Sequence, residues 1–282
     1  MRISVLVDDV SSNAEFESEH GLSFFLEEGG KSRLFDVGAS ALFSRNARRL
    51  GLDISDVSAL ILSHGHRDHT GGLATFFHEN AQALVYATPS AFRSYYALRP
   101  SGVYEDIGTP KYDEDPRYSS RLRLTSGATT LDSDALLFSD VSTRELTSDA
   151  NKTLFERNEK EDGASYRNDR FLHEQNLLVT SRSGKKILVV GCAHRGIVNI
   201  MNRCVEILGK APDVAIGGFH LMIPSQNATI SNDSLDKIAA RLADWKTRYY
   251  AGHCVGQAAF ERVRSRLGDQ ISSFGAGDVF DF

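Results

Sequence analysis

At 282 residues the chain exceeds the usual size of one compact unit, though a single large α/β sandwich accommodates it, and 41% hydrophobic residues give ample material for a core. A charged fraction of 24% is ordinary for a water-soluble protein, and a net charge of −5 provides no basic field for nucleic acid. No apolar run approaches bilayer-spanning length, and the start, Met1 to Asp9, lacks the apolar core and cleavage site of a signal peptide. Cys192, Cys204 and Cys254 are an odd set, which fits a reduced cytoplasmic protein better than a disulfide scaffold.

Taken in order, residues 3–7 alternate as a first strand and lead into a polar loop, 8–17. Residues 21–27 and 31–36 read as a hairpin turning at Glu28-Gly29-Gly30. A helical spacing of apolar residues over 41–50 stops at Gly51. The apolar run 57–62 then enters Ser63-His64-Gly65-His66-Arg67-Asp68-His69-Thr70-Gly71-Gly72, and a helix begins near Leu73, carrying His78 away from the cluster. Residues 83–87 form another strand, broken at Thr88-Pro89.

From about 91 to 169 the pattern weakens: tyrosines interleave with arginines and prolines. That middle reads either as a wall over a site, with Arg93, Tyr95 and Tyr96 as substrate contacts, or as an ordinary surface insertion. Within it, 122–124 and 135–138 read as short strands and 156–162 as a solvated loop or fraying helix. The last third is regular: strands at 177–180, 186–191, 214–217 and 249–252, with helices following the last three, and extended segments at 271–274 and 279–282. No linker or repeat interrupts the chain, so one domain over 1–282 is expected.

The chemistry concentrates in four donors within six residues. His64 and His66, two apart on an extended backbone, face one way and can share one ion. Asp68 and His69 follow in the turn and can reach a second ion beside it. Imidazole and carboxylate suit zinc, or iron or manganese. Ions of such pairs sit roughly 3.5–4 Å apart, can hold a water as hydroxide and can polarise an electrophile. Gly71-Gly72 would let the backbone bend tightly where the donors converge. Three later strand ends each present a histidine: His194 (with Cys192 two residues before), His220 and His253.

His-x-His-x-Asp-His after an apolar strand resembles the signature of the metallo-β-lactamase superfamily. Glu19-His20-Gly21-Leu22-Ser23, Leu34-Phe35-Asp36-Val37-Gly38, Gly191-Cys192-Ala193-His194-Arg195-Gly196, Gly217-Gly218-Phe219-His220-Leu221 and Gly252-His253-Cys254-Val255-Gly256 are similar to one branch of it. That branch contains the 7,8-dihydropterin-6-methyl-4-(β-D-ribofuranosyl)-aminobenzene-5'-phosphate synthase-like metal-dependent hydrolases. The resemblance covers residues 1–92 and 170–282 and implies an αββα sandwich of two mixed sheets with outer helices, with the middle as a variable insertion.

The resemblance further implies two divalent ions, zinc first among the candidates. His64, His66 and His194 would hold one, and Asp68, His69 and His253 the other. Asp36 would brace the metal-binding loop, the alternative being helix capping, for which Ser40 serves as well. Cys192 stands where many relatives place a bridging aspartate, and is either a thiolate ligand or a small buried residue. His220 is either a ligand or a substrate-binding histidine. His20 either contacts substrate or makes a structural hydrogen bond. The expected Pro-Gly-His loop ahead of residue 177 is absent, and His173 in Leu172-His173-Glu174-Gln175 does not match it. Hydrolysis of a small anionic substrate is the leading expectation, with Asp68, His20 and His220 as the catalytic set. A synthase of the named type, or a metal-bound binding protein without turnover, are the alternatives. Neither nucleic acid nor membrane is expected as a partner, and self-association is left open.

Overall fold

The computed structural model of the chain describes residues 1–158, 165–223, 226 and 228–282. Two seven-stranded sheets share one apolar layer. In spatial order the first holds Val279–Asp281, Arg2–Val7, Ser23–Glu28, Lys31–Phe35, Ala59–Ile61, Leu84–Ala87 and Leu122–Leu124. The second holds Ile271–Ser273, Arg248–Gly252, Val214–Gly218, Lys186–Val189, Asn176–Thr180, Ala135–Phe138 and Ala128–Thr130. Strand alternation explains the layers. Phe24, Leu26, Phe35 and Ile61 point inward to meet Leu177, Val179, Ile187, Val189 and Ile216. Their neighbours Phe25, Leu34, Leu60 and Leu62 point outward, under the helices Leu42–Arg49 and Leu73–Glu79. Leu178, Leu188, Val190 and Ala215 likewise meet Ile197–Leu208, Asn232–Ala243 and Gln257–Leu267. The result is the expected αββα sandwich. No helix among the described residues is long and apolar enough to cross a membrane.

Both sheets contain a parallel run. Lys31–Phe35, Ala59–Ile61, Leu84–Ala87 and Leu122–Leu124 are parallel in one; Lys186–Val189, Val214–Gly218, Arg248–Gly252 and Ile271–Ser273 are parallel in the other. Successive parallel strands end on the same edge, so the loop residues leaving each strand are collected there. The expected hairpin turn is present: Glu28 pairs with Lys31, and Gly29 and Gly30 take φ of 63° and 79°, the left-handed values a two-residue turn of this kind needs.

The middle of the chain divides. Leu122–Leu124 extends the first sheet, and Ala128–Thr130 and Ala135–Phe138 extend the second. What stands apart is an antiparallel sheet ordered Tyr166–Asn168, Leu154–Arg157, Tyr95–Leu98, Tyr104–Asp106. The solvated loop or fraying helix expected over 156–162 is corrected at its start: Leu154–Arg157 is an inner strand of this sheet. Glu156 there is buried and accepts hydrogen bonds from Arg167 and Arg170. A carboxylate whose arginine partners lie 11 and 14 residues further on looks, in sequence, like part of a solvated charge run. Residues 159–162 of that run lie outside the described residues.

Candidate metal centre

The strand Ala59–Ile61 runs out into Ser63 and His64, and Arg67–Thr70 forms a single helical turn that lifts Asp68 and His69 beside them. Asp36, at the end of the neighbouring strand, organises this turn. It is fully buried, takes a left-handed φ of 60°, and accepts hydrogen bonds from Ser63 N (2.7 Å), Ser63 Oγ (2.6 Å) and His69 Nδ1 (2.7 Å). Ser63 Oγ in turn lies 2.8 Å from His64 Nδ1 and accepts its proton. The helix Leu42–Arg49 has no side-chain cap from Asp36; Ser40 Oγ accepts from Leu42 N instead.

Gly71 and Gly72 act differently from the expected tight bend. Gly71 has helical φ (−63°), and a Cβ there would lie 2.1 Å from Ala39 O; at Gly72 it would lie 2.3 Å from Val37 O. The glycines let the 37–40 loop approach. Glu19 clamps that loop by accepting from Ala39 N, Ser40 N and Ser40 Oγ.

The second sheet supplies the opposite wall. Cys192 and His194 follow Lys186–Val189, His220 follows Val214–Gly218, and His253 and Cys254 follow Arg248–Gly252. Ala193, His220 and His253 all take left-handed φ (56°, 47° and 51°), a conformation that costs of order 1–3 kcal/mol each and collects at functional sites. His253 N donates to Asp8, and His253 Nδ1 to Asp9 Oδ1 (2.6 Å). His194 Nδ1 donates to Asn151 Oδ1 (3.1 Å), and its backbone N donates to the buried Glu174.

These bonds decide where the lone pairs go. His64, His69, His194 and His253 each place Nδ1 against an oxygen, so each turns Nε2 inward, where it offers a lone pair whenever the ring is neutral. The inward atoms then face one another. His69 Nε2 is 3.2 Å from His253 Nε2 and 3.1 Å from Cys192 Sγ, and His64 Nε2 is 3.3 Å from His194 Nε2. Asp68 Oδ2 completes the set at 3.3 Å from His253 Nε2 and 3.6 Å from His69 Nε2. Lone pairs that face one another are satisfied by a cation between them. Donor separations of this size are also the edges of a tetrahedron whose centre lies about 2.0–2.3 Å from each atom, the zinc–nitrogen and zinc–sulfur range. Two such groups bring their donor atoms within 4.8 Å of one another: Asp68, His69, Cys192 and His253; and His64, Cys192 and His194. Cys192 belongs to both.

The ionisation of the donors agrees for His64, His194 and Asp68, whereas burial pushes the Cys192 thiol up and the acids around His253 favour its charged form. Burial and the neighbouring imidazoles push His64 and His194 well below the ordinary histidine value, leaving them neutral. Burial opposes the Asp68 carboxylate, but His69, His253 and His20 overcome it and hold its pKa well below the usual range. Burial likewise opposes charge on His253, and Asp9, Cys254 and Asp68 outweigh it, raising that pKa.

His66 falls differently from the expected trio with His64 and His194. Its ring lies 4.6 Å from that of His64 and 4.9 Å from that of His194, but its nearest donor group is Asp169 and His173. Its Nε2 has no hydrogen-bond partner and is 3.7 Å from Asp169 Oδ2. His173, unplaced by any motif, is a support: its Nδ1 accepts from Gly65 N (2.8 Å) and its Nε2 donates to Asp169 (3.0 Å).

A cavity of about 270 Å³ opens over the centre, lined by His20, His66, Asp68, Cys192, His194, His220 and His253 on the donor side. Its other wall comes from the four-stranded sheet and its flanks, with Ala97, Ile107 and Leu154 and the charged Arg99, Glu105 and Asp106, while Arg67 lines it from the turn that carries Asp68. The middle of the chain is thus a wall of the site, but through other residues than expected. Arg93, Tyr95 and Tyr96 do not line this cavity. Tyr95 is buried against His173, with rings 4.0 Å apart, and donates to Ser90 O. Tyr96 lies on the opposite strand face against Tyr166, and Arg93 is exposed. His20 lies between two carboxylates, Nδ1 2.9 Å from Asp9 and Nε2 3.5 Å from Asp68. His78 is exposed on its helix, away from the cluster. Sequence reasoning missed Asp8, Asp9, Asn151, Asp169, Glu174 and Cys254. The adjacent acids closing the first strand were a usable signal for Asp8 and Asp9; the others had none.

Comparison with known proteins meets this geometry. The family model of the metallo-beta-lactamase superfamily matches residues 19–253. The chain is 28% identical, over 100% of its length and 97% of the other's, to a Methanocaldococcus jannaschii protein named 7,8-dihydropterin-6-methyl-4-(beta-D-ribofuranosyl)-aminobenzene-5'-phosphate synthase. Tm1679, a solved metal-dependent hydrolase of the beta-lactamase superfamily, superposes with a TM-score of 0.81 at 28% identity, covering 100% of this chain and 99% of that one. A diphosphatase from the PhnP family shares the fold at a TM-score of 0.55 and 15% identity, over 100% and 97% of the two chains. A donor-lined sheet edge, the αββα layering and the matched span together make this chain a member of the metallo-beta-lactamase superfamily.

Proposed function

We propose that the chain is a hydrolase with two divalent ions, zinc by the chemistry of its donors, acting on a small anionic substrate of phosphorylated or ester type. The observation that carries this reading is the set of Nε2, Sγ and carboxylate donors turned on one another at 3.1–3.6 Å, with each of the four Nδ1 atoms already committed. Asp68, His69, Cys192 and His253 would hold one ion; His64, Cys192 and His194 the other, with His66 beside them. When bound, such a pair supplies an activated water and stabilises charge on a carbonyl or phosphoryl centre.

The chain's own residues do the rest. Asp68 projects its carboxylate into the cavity, where it orients the nucleophile and accepts a proton. Burial lowers the pKa of His20, but Asp9 and Asp68 outweigh it and raise the value overall, so His20 keeps a proton on Nε2 to give to a leaving group. Arg67 and Arg99 draw in the anion over a partly apolar floor, each exchanging its carboxylate partner, Asp106 or Glu105, for the substrate. Full-length similarity to a synthase supports the second reading, condensation on a phosphorylated pterin-like substrate.

Metal analysis of the purified protein, with a panel of phosphomonoesters, phosphodiesters, lactones and thioesters, tests the proposal. The Asp68→Ala variant should lose roughly 10²–10⁴-fold in turnover and part of its bound metal. Full turnover and full metal in that variant would sink the mechanism. Condensing activity with no hydrolysis across the panel would move the assignment to the synthase.

A further inference from the structure

We propose that Cys254 and His220, together with Cys192, form a third donor group that takes a soft, thiophilic cation next to the two groups above. This third group goes beyond the dinuclear proposal and touches it only through the shared Cys192.

Register assembles the group. Gly218 pairs with Gly252, so two of the parallel strands end level, and Val189 pairs with Ile216, so the third ends two residues sooner. Two residues past Gly218 comes His220, and two residues past Gly252 comes Cys254. Cys192 follows the end of the third strand. The three donor atoms lie within 4.8 Å of one another, and all three residues are buried.

His220 gives the independent sign. It is 5% exposed, yet neither Nδ1 nor Nε2 has a hydrogen-bond partner. Buried polar groups are otherwise almost always paired, and an orphaned imidazole asks for a ligand. Its backbone is held at a left-handed φ of 47°, and its ring stands edge-on 4.2 Å from that of His194. Room has been made for the sulfur as well: a Cβ at Gly218 would come within 2.7 Å of Cys254 Sγ. The cysteines are all free, and the partners found for Cys254 Sγ outside the group are the backbone N of His220 at 3.2 Å and Cys192 O at 3.9 Å.

Donor chemistry sets the class of ion. Two sulfurs and one imidazole select soft and borderline cations such as Cd²⁺, Zn²⁺ or Cu⁺, whereas the carboxylate-bearing group of Asp68 also suits harder ones. The pocket is a thiophilic annex, distinct in preference from the centre it adjoins.

The test is a titration of the full-length reduced protein with Cd²⁺, following bound metal by mass and thiolate charge transfer by absorption. Wild type should bind one ion more than Cys254→Ser at saturation. The charge-transfer intensity should fall by about half in that variant, one of two ligating thiolates being gone. His220→Phe, which keeps the ring volume and removes both nitrogens, should also lose the extra ion. Cys204→Ser, whose sulfur is packed inside the helix Ile197–Leu208, should lose neither and serves as the control. Because the readout is the difference between wild type and variant, it stands whatever number of ions the other two groups hold. Equal metal content and equal intensity in wild type, Cys254→Ser and His220→Phe would overturn the proposal.

Discussion

The two walls of the site are built in opposite ways. On the first sheet the donors come from one short turn, and the protein itself holds them: Asp36 alone ties Ser63 and His69, and His173 ties Gly65. On the second sheet the donors come from three strand ends far apart in sequence. There His253 is tied to Asp8 and Asp9 and His194 to Asn151 and Glu174, but His220 has no tie to either ring nitrogen. The first wall is braced through one carboxylate and one imidazole inside a compact turn; the second is braced donor by donor from distant loops, and its His220 rests on backbone and strand register alone. This division teaches that a short turn can be organised as a unit, whereas strand ends brought together by register must each find their own support.

The contrast can be broken at its strongest point. Asp36→Ala removes the acceptor for three hydrogen bonds and frees the His69 ring, so metal affinity should fall about 10–100-fold. Competition against a chelator of known affinity measures it. Asn151→Ala, which loosens only His194, should lie at the bottom of that range or below it. Equal losses in the two variants would erase the distinction between the walls.

A smaller effect sharpens it. His173→Ala leaves the buried Gly65 N–H without its acceptor, and about 1–3 kcal/mol of stability should be lost. Denaturant unfolding of the metal-free protein shows it, since this brace acts without a ligand. A loss appearing only in metal-loaded protein would show that this brace depends on the ligand instead.

The smallest effect concerns the join between the halves. Arg33, buried on the strand that ends before Asp36, donates from Nη2 to Asp132 (2.7 Å) and Asp134 (2.9 Å), just ahead of Ala135–Phe138 in the other sheet. Burial opposes the Asp132 carboxylate, but hydrogen bonds from Asp134, Arg33 and Lys31 outweigh it and hold its pKa well below the usual range. A depressed folded value contributes stability that is complete above the unfolded value, about 3.9, and is lost as pH falls toward the folded one. Acid unfolding of Arg33→Met should therefore depend less steeply on pH below about 4 than that of wild type. An unchanged acid limb would show that the halves are joined by apolar packing alone.

Legibility in the sequence followed the same line. The opening turn could be read because its donors are neighbours, and Asp36 because it closes a strand next to a glycine. The hairpin, the five longer helices and most strands could be read from periodicity, since burial on one face writes itself into residue spacing. The middle could not. Its strands are three or four residues long, too short to show a period, and the glutamate and arginines that pair in it look like a solvent-facing charge run. Tyr95 and Tyr96 likewise read as binding residues because aromatic identity carries no sign of which side of a strand faces the cavity.

By itself the sequence determined the superfamily, the layered class of the fold and the opening cluster of candidate donors, because each is written in residues close along the chain. Only the tertiary structure decided that Cys192 is shared, that His66 sits with Asp169 and His173, that Arg67 and Arg99 line the cavity, and that Cys254 faces His220. The physical reason is register: parallel strands separated by helices meet at one edge by hydrogen-bonded alignment, and spacing along the chain does not encode which of their ends come level.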